Sequence, residues 1–313
     1  MRVGQNPAKS IDSVPQPANV TVAVVTYIPF LSGYYAQSLD VLKVCLESIW
    51  ENTSADYDML VFDNASCPEV RDYLNELQRQ EHIQYLVLSD KNVGKGGAWN
   101  FIFQAAPGEY IAYTDSDVRF YPGWLAHSLA ILEAFPQTGM VTARPMRTPE
   151  AFYTATLEWA RSQPDVVLEN GQYIPWETYL QHVLSLGTSA EQAREWYESR
   201  SDWRLTHRGV QALVSAAHFQ FTTRKASLGQ FLPFKMDRPM GQVRSLDEQI
   251  NQAGLLRLTT CDPLVTHMGN QVPADIGSRP TPASMRANRL AEIPFIRKPL
   301  LRLYDAIFKL YYQ

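Results

Sequence analysis

Between Val20 and Ala143, short apolar runs alternate with helically spaced ones, and this alternation constrains the fold more than any other feature of the chain. Residues 20–26 are short, apolar and β-branched, which reads as a buried strand. From Leu39 to Trp50 the apolar positions Leu42, Cys45, Leu46, Ile49 and Trp50 follow helical spacing. A strand at 57–62 precedes a helix opened by Pro68, whose missing N–H costs nothing in a first turn. The pattern continues with a strand at 83–88, a helix at 97–106, a strand at 110–114, a helix at 122–135 and a strand at 139–143. Strands and helices alternating at this interval imply a mostly parallel sheet flanked by helices, an α/β fold. Ligands of such sheets bind beyond the carboxyl ends of the strands. That rule singles out Thr26 and Tyr27, Asp63 and Asn64, the loop from Asp90, and residues 115–117.

Two acids one residue apart at a strand end, Asp115 and Asp117, can share a hard divalent cation such as Mn²⁺ or Mg²⁺, completed by water and substrate phosphates. Loops often contain two acids without binding anything, so position matters more than the motif. The segment 92–100, Asn-Val-Gly-Lys-Gly-Gly-Ala-Trp-Asn, joins a strand to a helix. Its glycines permit close backbone approach to an anion at a helix N-terminus, or simply a tight turn. It matches neither the Walker loop nor the full dinucleotide fingerprint. Asp63 suits a ribose or base, or a helix cap. Asp247 and Glu248 near a helix start either complement its dipole or provide a general base. His218 and His267 are structural hydrogen-bonders or ligands.

After Pro145 the pattern changes. Residues 149–200 read as polar, aromatic-rich helix, 211–223 as partly strand, 246–253 as helix and 256–266 as strand-like. The net charge of -4 argues against nucleic acid as the main partner. Three scattered cysteines, Cys45, Cys67 and Cys261, suggest a reducing compartment and no zinc site. No apolar run approaches the roughly 20 residues of a membrane-spanning helix, and no signal-peptide core is evident. A cytoplasmic protein is expected, with contact at the inner face of a membrane left open. That contact would fall to the basic, amphipathic stretch 295–312, which otherwise docks on its own domain or on a second subunit.

Taken in order, Val25-Thr26-Tyr27, residues 61–66, Asn92-Val93-Gly94 with Ala98 and Asn100, and residues 113–118 with Pro122-Gly123-Trp124 resemble the family 2 glycosyltransferases of GT-A fold. The likeness continues through 217–224, Leu246-Asp247-Glu248, 254–258 and 265–270. Residues 1–18, polar and proline-bearing, read as a flexible tail, and the resemblance implies one catalytic domain at 19–275. Within it, 19–145 would bind a nucleotide sugar and 146–275 the acceptor, leaving 276–313 as an extension. The resemblance implies a UDP- or dTDP-type sugar donor, a saccharide or lipid-linked acceptor, Mn²⁺ or Mg²⁺, and inverting transfer. It places Thr26, Tyr27, Asp63, Asn92, Gly94, Lys95, Asn100, Asp115, Ser116 and His218 around the donor. Asp117, Asp115 and His267 would hold the metal, and Asp247 or Glu248 would act as base. Trp99 stands where the family often has arginine. A nucleotidyltransferase and a non-catalytic nucleotide-sugar binder are the competing readings; a missing basic glycine loop near residue 27 counts against the first.

Overall fold

A computed structural model describes residues 3–237 and 243–272. The first half follows the alternation. Strand β1 (Val20–Thr26) leads to helix α1 (Ser38–Asn52), β2 (Asp58–Asn64), α2 (Pro68–Arg79), β3 (Tyr85–Ser89), α3 (Gly94–Ala105) and β4 (Tyr110–Asp115). Then come β5 (Val118–Phe120), α4 (Trp124–Ala134) and β6 (Thr138–Thr142). Strands β3, β2, β1 and β4 lie side by side and parallel. Their register sets Thr26 opposite Asp63 and Val25 opposite Asp115, so residues far apart in sequence meet along one sheet edge.

The second half departs from the helical expectation for 149–200. Helices α5 (Thr154–Ser162), α6 (Trp176–Ser185) and α7 (Ala190–Glu198) are present, but β7 (Val167–Gly171) interrupts them. It pairs antiparallel with β8 (Asp202–His207), which pairs antiparallel with β9 (Val210–Val214). The five residues of β7 occupy the sheet edge and are half-exposed or exposed, so no apolar run announces a strand. The chain continues through β10 (Gln220–Arg224), α8 (Lys225–Gly229), α9 (Val243–Gln252), β11 (Leu256–Thr259) and β12 (Val265–His267). β10 runs antiparallel between β4 and β6, joining the parallel half to the rest of a ten-stranded sheet ordered β3-β2-β1-β4-β10-β6-β11-β9-β8-β7.

Two of the hydrophobic clusters among the described residues lie on much of this sheet. One joins α3, α9 and the sheet through Trp99, Phe103, Tyr113, Phe221 and Phe234. The other joins α4 and α5 to the β6, β9 and β11 strands. The described residues up to 271 form one compact unit; 3–17 are exposed and hold a single 3-10 turn at Pro7–Ser10. No helix among the described residues is long and apolar enough to cross a membrane. The stretch 295–312 lies outside the described residues.

Candidate active site

The two acids at the end of β4 have separate surroundings. Asp115 accepts hydrogen bonds from Lys95 Nζ at 2.6 Å and from the Tyr113 hydroxyl at 2.6 Å, so each carboxylate oxygen is engaged. Lys95 is buried at the start of α3 and lies over the ring of Trp99 at 5.5 Å. Trp99 is fully buried in the aromatic cluster, and the nearby cation comes from Lys95 rather than from an arginine at position 99. Burial and the adjacent Asp115 push the Tyr113 hydroxyl well above its ordinary pKa, so it remains a donor.

Asp117 meets His267 across a small second sheet. β12 pairs antiparallel with β5, His267 lies opposite Val118, and the Met268 N–H donates to the Asp117 carbonyl at 2.8 Å. His267 Nε2 consequently lies 3.2 Å from Asp117 Oδ2. Burial lowers the His267 pKa, but the hydrogen bond and charge of Asp117 outweigh it and the net direction is up. The other ring nitrogen, Nδ1, is 3.1 Å from Ser185 Oγ at the end of α6. That hydroxyl donates its single proton to the His182 carbonyl at 2.6 Å. It therefore accepts from His267 Nδ1–H, which turns Nε2 towards Asp117.

Asp117 Oδ1 is buried and has no hydrogen-bond partner among the described residues. A buried carboxylate oxygen without a donor is costly unless something else satisfies it. An oxygen and an imidazole nitrogen suit Mn²⁺ or a similar divalent ion. No group of three or more His, Cys, Asp or Glu placed to hold a metal occurs among the described residues. Asp117 and His267 would thus supply a minority of the ligands, with phosphate oxygens and water supplying the rest. Asp115 would join them through the lone pairs that Lys95 and Tyr113 leave free.

The other expected donor residues gather at the same sheet edge with different tasks. Asp63 is fully buried, accepts from the Ser66 N–H and pairs with Arg71 Nε at 3.0 Å, so it secures the turn into α2. Asn92 Oδ1 accepts from Asn64 Nδ2 at 3.0 Å and from Gly94 N at 2.9 Å. Gly94 has φ +70°, which favours glycine at the entry to α3. Thr26 is buried with its hydroxyl unpartnered, and Tyr27 packs edge-on to Tyr35. Ser116 is half-exposed between the two acids. Asn100 is turned away: its amide clamps the Phe234 backbone through two hydrogen bonds, at 2.8 and 2.7 Å.

On the other side of β10, Asp247 and Glu248 part company. Neither is in the first turn of α9, so a dipole role does not explain them. Glu248 is half-exposed and pairs with Arg244 one turn earlier. Asp247 is buried, its Oδ1 2.6 Å from Arg257 and its Oδ2 2.7 Å from His218 Nδ1. Arg257 is fully buried and also donates to the Ala216 and Phe152 carbonyls. Its pKa is lowered by burial, against the opposing charge of Asp247. His218 adjoins Phe219, whose carbonyl accepts the Asp115 N–H at 2.8 Å and whose ring packs edge-on to His267 at 5.6 Å. Arg257 and Ser185 had no assigned role in the sequence. A lone arginine inside Leu255-Leu256-Arg257-Leu258 is a signal of a buried ion pair; Ser185 carries none.

A cavity of about 710 Å³ lies by Tyr110 and Arg224 at the end of β4 opposite Asp115, away from these groups. A second, about 540 Å³, is lined by Arg147, Tyr153, Arg200 and Trp203 among others; in its wall Thr148 bonds Ser215, three residues before His218.

An α/β sheet with acids, a lysine and a histidine gathered at the carboxyl ends of its parallel strands defines a nucleotide-sugar transferase type of fold. The chain belongs to glycosyl transferase family 2, whose model matches residues 34–204. It is 32% identical over 101 residues to an uncharacterized glycosyltransferase of Nostoc sp., covering 32% of this chain and 30% of that protein. It is 29% identical over 104 residues to the succinoglycan biosynthesis protein ExoW of Rhizobium meliloti, covering 33% of each. The chain thus spans about a third of the length of these curated relatives. Among solved structures, it resembles GalNAc-T7 with UDP, GalNAc and Mn²⁺, with a TM-score of 0.51 and 12% identity over 80% of this chain and 44% of that one. The shared architecture is the GT-A fold.

Proposed function

We propose that this protein transfers a sugar from a nucleoside-diphosphate donor to a hydroxyl acceptor with inversion, assisted by a divalent cation. The observation that carries the reading is the pairing of Asp117 with His267 beside an unpartnered, buried Asp117 oxygen. Asp117 and His267 would hold the ion. When bound, the ion supplies Lewis-acid stabilisation of the charge on the departing diphosphate. Lys95 adds positive charge next to Asp115, which faces the ribose or sugar. Thr26, Tyr27 and the Asn92–Gly94 turn border the nucleoside. The acceptor hydroxyl attacks the anomeric carbon from the face opposite the diphosphate, and the pair of half-buried His218 and buried Asp247 receives its proton. In this reading residues 19–145 bind the donor and the aromatic-rich half to 275 shapes the acceptor site, since aromatic faces suit sugar rings.

A thermal-shift panel of UDP-, dTDP- and GDP-sugars, each with and without Mn²⁺, tests the reading. A ligand at 100 times its Kd stabilises by about 2.7 kcal/mol. At least one donor is expected to raise the melting temperature with Mn²⁺ and to lose that effect in Asp117→Asn. A panel that leaves the melting temperature unmoved in both conditions contradicts it. Binding without consumption, even with acceptor extracts added, would instead identify a non-catalytic binder.

A further inference from the structure

Arg144 and Arg257 are both fully buried, but among the described residues only Arg257 has a carboxylate partner. A buried cation without an acid is costly unless hydrogen bonds compensate it. Burial lowers the Arg144 pKa from 12.5 to about 10, so the group keeps its charge at neutral pH. Its donors are divided between two elements. Nη1 donates to the Val265 carbonyl at 2.9 Å and to Thr266 Oγ1 at 3.2 Å, both on β12. Nη2 donates to the Thr178 carbonyl at 2.6 Å and to Gln181 Oε1 at 3.2 Å, both on α6. Nε has no partner among the described residues. The backbone adds to the attachment: the Ala143 carbonyl accepts the Leu264 N–H at 2.9 Å, at the entry to β12. A planar guanidinium fork can reach acceptors on two elements at once, whereas an ammonium is a single point.

These two elements meet at His267. β12 ends on it, and α6 ends on Ser185, whose hydroxyl is 3.1 Å from His267 Nδ1. Between them His182 of α6 stacks on Phe219, which packs edge-on to His267. Residues three and four apart share a helix face, so Thr178, Gln181, His182 and Ser185 line one side of α6. Arg144 therefore grips that side one to two turns before Ser185, and grips β12 one residue before His267. We propose that Arg144 is a positioning residue for the metal histidine: by fastening α6 to β12 it keeps Ser185 within reach of His267 Nδ1, and so keeps Nε2 turned to the cation beside Asp117. This rests on the metal-assisted reading above. It gives α6, in the aromatic-rich half, a part in the donor end of the site.

Two measurements on the full-length protein test this. The first needs no metal. In ¹⁵N-histidine-labelled protein, the Nδ1–H resonance of His267, assigned as the peak lost in His267→Gln, is expected to be visible in wild type. In Arg144→Met and Arg144→Lys it is expected to be lost to exchange with water. A resonance absent from wild type, or retained in both variants, overturns the proposal. The second is calorimetric titration of MnCl₂ in the presence of UDP. Arg144→Met is expected to weaken Mn²⁺ binding about 10- to 100-fold, and Arg144→Lys to recover little of it, since the charge alone does not span the two elements. Adding Ser185→Ala to Arg144→Met should weaken binding by no more than about threefold further, because both act through one contact. Affinity equal to wild type in the Arg144 variants, or losses that multiply in the double variant, overturn the proposal. If neither Arg144 variant folds, Gln181→Ala decides. It trims the exposed end of the attachment and should weaken binding about 2- to 10-fold, and unchanged affinity overturns the proposal. If wild type binds no Mn²⁺ with UDP, the metal reading fails, and the resonance still decides whether Arg144 holds the ring.

Discussion

Ser185 reaches His267 from 82 residues upstream, and its one hydroxyl proton decides which imidazole nitrogen faces Asp117. Partners of this kind typically account for 10- to 100-fold in metal affinity. Ser185→Ala is therefore expected to weaken Mn²⁺ binding by about that factor, measured by calorimetric titration of MnCl₂ in the presence of UDP; unchanged affinity would contradict the role. The neighbouring His182 answers to pH. Burial, with the nearby Arg144, lowers its pKa from 6.5 to about 3, its Nδ1 is unpartnered, and its ring stacks on Phe219. The unfolded chain binds this proton at a higher pH than the folded one. Its contribution is thus whole above about 6.5 and is eroded as pH falls towards 3. The melting temperature should drop between pH 7 and pH 5, and by less in His182→Leu; equal drops in both proteins would refute this. The acids of the site were legible because strand ends expose them. Arg257 and Ser185 were not, because a local pattern says nothing about which distant group a side chain will meet.

Helix α3 shows what could and could not be read at the scale of elements. Its glycines were open to a phosphate loop or a tight turn, and a helix was expected from residue 97. The helix begins at Gly94, and Gly97 is already inside it. A Cβ at Gly97 would lie 2.8 Å from Val93 Cβ and 2.9 Å from Met236 Sδ. Gly97 thus permits close packing of the turn and the 231–236 loop, which Asn100 also clamps. Gly97→Ala should cost about 1–3 kcal/mol through overpacking, seen as a lower urea midpoint with unchanged slope. A midpoint equal to wild type would show that the neighbours yield without cost. The strands β1, β2 and β4 were legible because buried β-branched runs are distinctive. β7 was not, because an exposed edge strand of five residues lacks that mark.

For the whole molecule, one antiparallel strand, β10, binds a parallel four-stranded sheet to a mixed remainder, in which β6 and β11 are parallel, and carries the Asp115 region against Phe219. The buried Arg257–Asp247 pair spans β11 and α9 across this junction. Removing one partner leaves an uncompensated buried charge, so Arg257→Met should cost about 3–5 kcal/mol in urea unfolding, and the double variant with Asp247→Leu should recover most of it. A single variant as stable as wild type would contradict the pairing. The alternation made the parallel half legible. The order of the remaining strands depended on long-range pairings that no local spacing records. The central claim is that these elements converge on nucleotide-sugar transfer through Asp117. It is tested most directly by nucleoside diphosphate release from a panel of nucleotide sugars with Mn²⁺, comparing wild type with Asp117→Asn. The account predicts turnover by wild type that chelation abolishes and that the variant lowers about 10²–10³-fold. Turnover equal in both proteins and indifferent to chelation would contradict it.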